Sequence, residues 1–293
     1  MRNVMIAMGV FVSGCALDDV EDGDELDVGT TEQEVSGWLE GGYTSTTSLS
    51  GWDTGKSTSS WTCVLSQVAG DLGEGGQFQA ADVKSTAAIR ANAAGRWEVY
   101  AHGGAYADQT NSRVWANNVV TASTVCVPYP KVSIPQSIYI SSHAPQRLAS
   151  APANRYCFLQ GIAGGGQVFT HSDDFVRVKK YTTTDASHPT TGWYVEGNLT
   201  TQATNGITAS ATAVCIDFPT GTVAYGNTLE VPGTHAVTSG SGIKMCGLQS
   251  VVGAFNVNTW NHGVVIDPPL GLPDGQWTIT VSSGKRGRAL CVK

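Results

Sequence analysis

Thiols and imidazoles are the side chains best able to ligate a metal, attack a carbonyl or cross-link a backbone, and this chain has seven cysteines and six histidines. No two cysteines lie two to four residues apart, the spacing structural zinc sites use, so thiolate ligation of zinc is not expected. The histidines (His102, His143, His171, His188, His235 and His262) are scattered. His171-Ser172-Asp173-Asp174 is a His/Asp cluster. It reads as a polar loop tip leading into a strand, since a metal there would need a distant further ligand. His171 and His262 follow opening cysteines by 14 and 16 residues and are expected in equivalent loops, as candidate ligand contacts.

Nucleophile machinery is not legible. G-x-S-x-G, H-E-x-x-H, Walker-type loops and G-x-G-x-x-G are absent. Ser241-Gly242-Ile243-Lys244 matches S-x-x-K, but it falls in a Gly/Ser loop with no helix to aim the lysine. Glu98 and Glu196 follow repeat tryptophans by one and three residues and read as symmetric surface acids rather than a glycosidase pair. No catalytic residue, metal or cofactor is expected, and the chain is read as a non-enzyme.

What the cysteines can do is cross-link. Cys63-Val64-Leu65 runs to Val125-Cys126-Val127, Cys157-Phe158-Leu159 to Val214-Cys215-Ile216, and Cys246-Gly247-Leu248 to Leu290-Cys291-Val292. Each frame carries a tryptophan before its closing cysteine: Trp97, Trp193 and Trp277. This is a threefold tandem repeat, with the tryptophans at a shared core position. One cysteine at each end of every copy predicts the pairs Cys63–Cys126, Cys157–Cys215 and Cys246–Cys291, which would place first and last strands side by side. The alternative is six free buried thiols. Frame ends match while the middles shrink, as when the ends are strands and the middles loops.

The elements that must position these cysteines are strands. Gly makes up 35 of 293 residues and charged residues only 14%, which suits short strands with many turns. Alternation marks an opening strand at each first cysteine, with a bulge at Gly161 or its neighbour. Phe175–Lys179 reads as a second strand, matched by Val264–Ile266. The tryptophan segments read as a third, and the closing strand is apolar on both faces. The expected fold is all-β: three tandem disulfide-closed antiparallel β units, strung as beads or packed about a pseudo-threefold axis.

The amino terminus reads as an address. Arg2 precedes the short apolar run Val4–Val12, which meets Val12-Ser13-Gly14-Cys15. This segment resembles the lipobox of bacterial lipoproteins over the first fifteen residues. The resemblance implies cleavage before Cys15, a lipid on its sulfur and anchorage in the cell envelope, at the outer membrane or cell surface. An ordinary secretory signal with an incidental cysteine is the alternative. Lipidation would explain the odd cysteine count, because six remain to pair. Residues 16–34 then hold nine of the 24 acids and no base, and read as a disordered tether. Setting those acids and Arg2 aside leaves 15 acids and 16 bases. The body is near neutral, and no basic stripe marks a nucleic-acid partner.

The expected divisions are a signal over 1–14, a lipidated tether over 15–36, and β repeats over 37–130, 131–219 and 220–293. Function is expected where the repeat pattern breaks. Trp115 and Trp260 lack counterparts in the other copies and sit beside polar neighbours, so with His171 and His262 they are candidate contacts for a glycan or surface protein. The expected function is a surface-anchored, non-catalytic binding or adhesion module, with glycans among the ligands. A secreted hydrolase with a site between repeats, or a structural envelope component, is the alternative.

Overall fold

A computed structural model of the chain describes residues 33–35, 38–45, 51–73, 85–107, 113–115, 119–132, 136–139, 145–164, 169–199, 209–229, 232–238, 242–257, 259, 261–268 and 276–293. The expected signal, Cys15 and most of the tether lie outside them. The tether's last residues do not: strand β1 (Gln33–Val35) pairs antiparallel with the strand that follows, Val35 opposite Trp38.

The structure is all-β, and no α-helix occurs among the described residues. The first repeat supplies β2 (Trp38–Ser45), β3 (Trp52–Ser57), β4 (Thr62–Gly70), β5 (Thr86–Ala91), β6 (Arg96–His102), β7 (Ala105–Ala107), β8 (Arg113–Trp115) and β9 (Val120–Val127). The second supplies β10 (Gln136–Tyr139), β11 (Gln146–Ala149), β12 (Arg155–Ala163), β13 (Phe175–Tyr181), β14 (Gly192–Asn198) and β15 (Ser210–Asp217). The third supplies β16 (Ala224–Leu229), β17 (Gly233–Thr238), β18 (Met245–Gly253), β19 (Gly263–Asp267), β20 (Trp277–Val281) and β21 (Lys285–Val292).

These strands do not stay within their repeats. The three large sheets run β1-β2-β9-β4-β19-β20-β17, β10-β15-β12-β5-β6-β3 and β11-β14-β13-β18-β21-β16, while β7 and β8 form a small pair of their own. Each large sheet joins the opening and closing strands of one repeat to the central hairpin of another. Repeat one lends its hairpin to the second sheet, repeat two to the third and repeat three to the first. The repeats therefore interlock in a cycle and are not separate beads.

Cysteines sit directly opposite each other on neighbouring strands, and the three disulfides are Cys63–Cys126, Cys157–Cys215 and Cys246–Cys291. Their α-carbons are 4.0 Å apart, the close spacing of a non-hydrogen-bonded antiparallel pair. Trp97, Trp193 and Trp277 are buried in one contiguous apolar core with the cysteines. Burying an indole needs a partner for its N–H: Trp97 donates to the Trp61 carbonyl at 2.7 Å and Trp193 to that of Arg155 at 3.0 Å.

The opening strands β4, β12 and β18 meet at the centre. A β-carbon on Gly247 would come within 2.8 Å of both Phe158 and Val64, residues at the same step of the other two repeats, so only glycine leaves room for the Phe158 ring. The opening strands share a bulge as well, at Ser66, Gln160 and Gln249. This lies beside Gly161, within the range the alternation indicates. The bulge turns Gln160 and Gln249 toward neighbouring strands, where they donate to the carbonyls of Cys63 at 3.0 Å and Cys157 at 2.9 Å.

Candidate functional site

The outer face of the third sheet carries a groove of about 460 Å³, within the range of small-ligand sites. It forms where β13 meets β18 and β21. Along β13, Val176 and Val178 are buried, so strand alternation turns Phe175, Arg177 and Lys179 to the other face. Along β21, Gly287 faces the core against Val264 and Ile279, which turns Arg286 and Arg288 outward. Arg177 pairs in register with Ser250 and Ser250 with Arg288, while Phe175 pairs with Val252 and Val252 with Arg286. Two rows thus cross three strands, and each row ends in a base. At strand spacing, the α-carbons of Arg177 and Arg288 stand roughly 10 Å apart.

The threefold relation shows how unusual this face is. Lys179 pairs with the residue after its repeat tryptophan, as do Arg90 and Asp267; Arg177 pairs two residues further on, as do Ala88 and Val265. On the closing strands, Arg286 and Arg288 match Ser210 and Thr212 in the second sheet and Thr121 and Ser123 in the first. Four bases therefore stand where the other sheets carry one base or an aspartate among small polar and apolar residues.

Two of the four bases are neutralised. Arg286 reaches Asp173 at 3.3 Å, an exposed pair of small energetic value. Arg177 meets Glu196 at 2.5 Å and lies over the Phe175 ring at 4.7 Å. Lys179 and Arg288 have no ion-pair partner among the described residues. Lys179 rests 4.8 Å from the Tyr181 ring. Arg288 is half-buried with its Nε shielded and without a hydrogen-bond partner, and burial pulls its guanidinium below the ordinary value.

Glu196 is a correction to the sequence reading. It is 6% exposed rather than a surface acid, and it anchors a polar cluster beside the groove. The Tyr181 hydroxyl donates to it at 2.7 Å; burial first, and then this carboxylate, push the phenol up to about 12. His188 stacks on Tyr181 with centroids 3.5 Å apart, and its Nε2 lies 3.4 Å from Glu196 Oε2 but out of line for a hydrogen bond. Its Nδ1 is 2.9 Å from Asp185, whose carboxyl is held below the ordinary range first by the His188 backbone N–H and then by the imidazole and the Ser187 N–H. Glu196, buried against Tyr181 and His188, positions Arg177, and neither Glu196 nor His188 lines the groove.

The expected site residues fare differently. Trp115 lies on β8 opposite Ala105, away from the groove strands, and its side chain is not described. Trp260 lies outside the described residues. His171 and His262 both lie in loops that enter a hairpin, as expected, but at different steps. The carbonyl matched to that of His262 belongs to Asp174, since these accept from the equivalent Gly70 and Gly253 amides. His171 is exposed beside Thr170, 3.0 Å away, and His262 is half-buried, its imidazole lowered by burial and then by the Lys285 charge. The structure does not bring the two together. No group of three or more His, Cys, Asp or Glu placed to hold a metal occurs among the described residues.

Sequence reasoning missed the groove because its bases come from strands more than a hundred residues apart, and no single stretch reads as basic. The available signal was alternation: Arg177 and Lys179, and Arg286 and Arg288, are both i, i+2 pairs with no basic equivalent in at least one other copy. Comparison with protein-family models, curated proteins and solved structures finds no match for this chain.

Proposed function

We propose that this chain is an exported, lipid-anchored binding module that captures an external ligand, a glycan foremost, in the groove between β13, β18 and β21. The observation that supports this reading is the placement of the groove at the positions where threefold equivalence fails. Positions shared by all three copies, such as the cysteines and repeat tryptophans, serve folding. A set of outward residues peculiar to one sheet is free to serve recognition.

The lining favours binding over reaction. It offers guanidinium and ammonium donors, the Ser250 hydroxyl, the Asn198 amide and the Phe175 ring. Its one carboxylate, Asp173, is exposed and paired with Arg286. Nothing in the lining places a general base beside a nucleophile. The test is capture of the full chain on a glycan array, with Arg177→Ala and Lys179→Ala made together. Array signals that fall tenfold or more in the double variant are expected. A silent array, or signals the double variant leaves untouched, would sink the groove as the binding site.

A further inference from the structure

Resting on that reading, we infer that the groove's ligand is an acidic polysaccharide, with one oxyanion substituent of a sugar ring, a carboxylate or a sulfate ester, seated over Ser250 between Arg177 and Arg288. A half-buried guanidinium with a shielded, unpartnered Nε is costly for a fold that gains nothing from it. Its counterparts Ser123 and Thr212 show that the strand position itself asks for no base. Arg288, which lines the groove and has no ion-pair partner among the described residues, is left to meet an anion from outside through its other nitrogens.

The geometry suits a small oxyanion. Arg177 is fixed by Glu196, which leaves part of its guanidinium to face the groove. Ser250 stands one strand from each of Arg177 and Arg288, so an oxyanion over its hydroxyl has a guanidinium-bearing strand on either side. The Arg288 guanidinium leans toward β16, its Nη2 3.0 Å from where a β-carbon on Gly226 would lie, so seating an anion requires that side chain to swing toward Ser250. Lys179, without an ion-pair partner among the described residues, adds a second cation two residues along β13 from Arg177. The Phe175 ring and the Asn198 amide offer the stacking face and hydrogen bonds a pyranose uses. Attraction to the chain as a whole does not account for anion capture, because its net charge is −7.

Binding of the full chain to polygalacturonate, dextran sulfate and neutral dextran of matched length, at about 0.15 M salt to suppress long-range attraction, tests this directly. Either acidic polymer should be retained at least tenfold more tightly than neutral dextran. A preference for polygalacturonate identifies a carboxylate and one for dextran sulfate a sulfate ester. Arg288→Gln should lose tenfold or more of that affinity while its melting temperature stays level or rises. The stability readout separates a ligand residue from a packing residue, which would lose both together. Neutral dextran held as tightly as the acidic polymers, or Arg288→Gln binding them unchanged, overturns the oxyanion seat. Array capture of glycans without acidic groups also overturns it but leaves the binding reading standing, whereas a silent array removes both.

Discussion

Lys285 carries a charge that the fold tolerates poorly. It is 2% exposed, its ammonium donates to the Ala254 carbonyl and lies 4.7 Å from the Phe255 ring, and burial lowers it to about 8 against a weaker opposing pull from Asp71. A lowered lysine means the unfolded chain holds the proton more tightly than the folded one. Between about pH 8 and 10.5 the unfolded state binds more protons, so stability should rise with pH across that window; below it both states are charged and the penalty is constant. Tyr181, raised to about 12, works in the opposite sense above pH 10, where the unfolded phenol ionises first. Urea melts from about pH 8 to 9.5 should therefore show a gain on the order of 1 kcal/mol that Lys285→Met abolishes. Equal slopes in the two proteins would mean Lys285 is not the group responsible.

Strand-level features explain which parts of the fold were legible. Period-two alternation and the cysteine frame showed the opening, closing and tryptophan strands, because burial on one face leaves a pattern that survives in the sequence. They also showed the bulge, through Gly161. They did not show its purpose. β12 pairs with β5 only over Gly161–Ala163, so the outward carbonyl of Cys157 has no ladder partner, and Gln249 from β18 supplies the donor. Gln160 does the same for Cys63. The third member of the set is Ser66, too short for the task, and its Oγ bonds nothing. Gln249→Ala should cost about 1–3 kcal/mol by leaving a buried carbonyl unmet. Ser66→Ala at the equivalent step should cost less than about 0.5 kcal/mol. Equal losses in chemical denaturation would show that the bulge residues act by packing alone. The groove was illegible for a related reason: pairing β13 with β18 joins two repeats, and nothing local in either sequence announces a neighbour from another copy.

The exchange of hairpins sets the behaviour of the whole molecule. Residues 131–219 read as a unit in the sequence, yet the β13–β14 hairpin pairs through β13 with β18, while β12 waits for β5. Produced alone, that segment leaves two sheet edges and an apolar surface uncovered, even with Cys157–Cys215 formed. It should be unfolded or self-associated by circular dichroism and sedimentation, and the full chain should unfold in one cooperative step. A well-folded monomer of a single repeat would contradict the interlocked arrangement. Composition and repeat length could announce three units; only the pairing of strands shows that none of them is complete.

The junction of β4 with β19 has a consequence for how the chain is made. Val68 finds its partner in Val264, so the first sheet cannot close until nearly all of the polypeptide has been synthesised. A topology ruled by such distant partners folds slowly. During that delay the chain remains threadable, which is the condition in which a protein can be passed through a narrow membrane channel. In the export we propose, the sheets would close once the last hairpin arrives on the far side, and oxidation of the three cysteine pairs would then lock each opening strand to its closing strand.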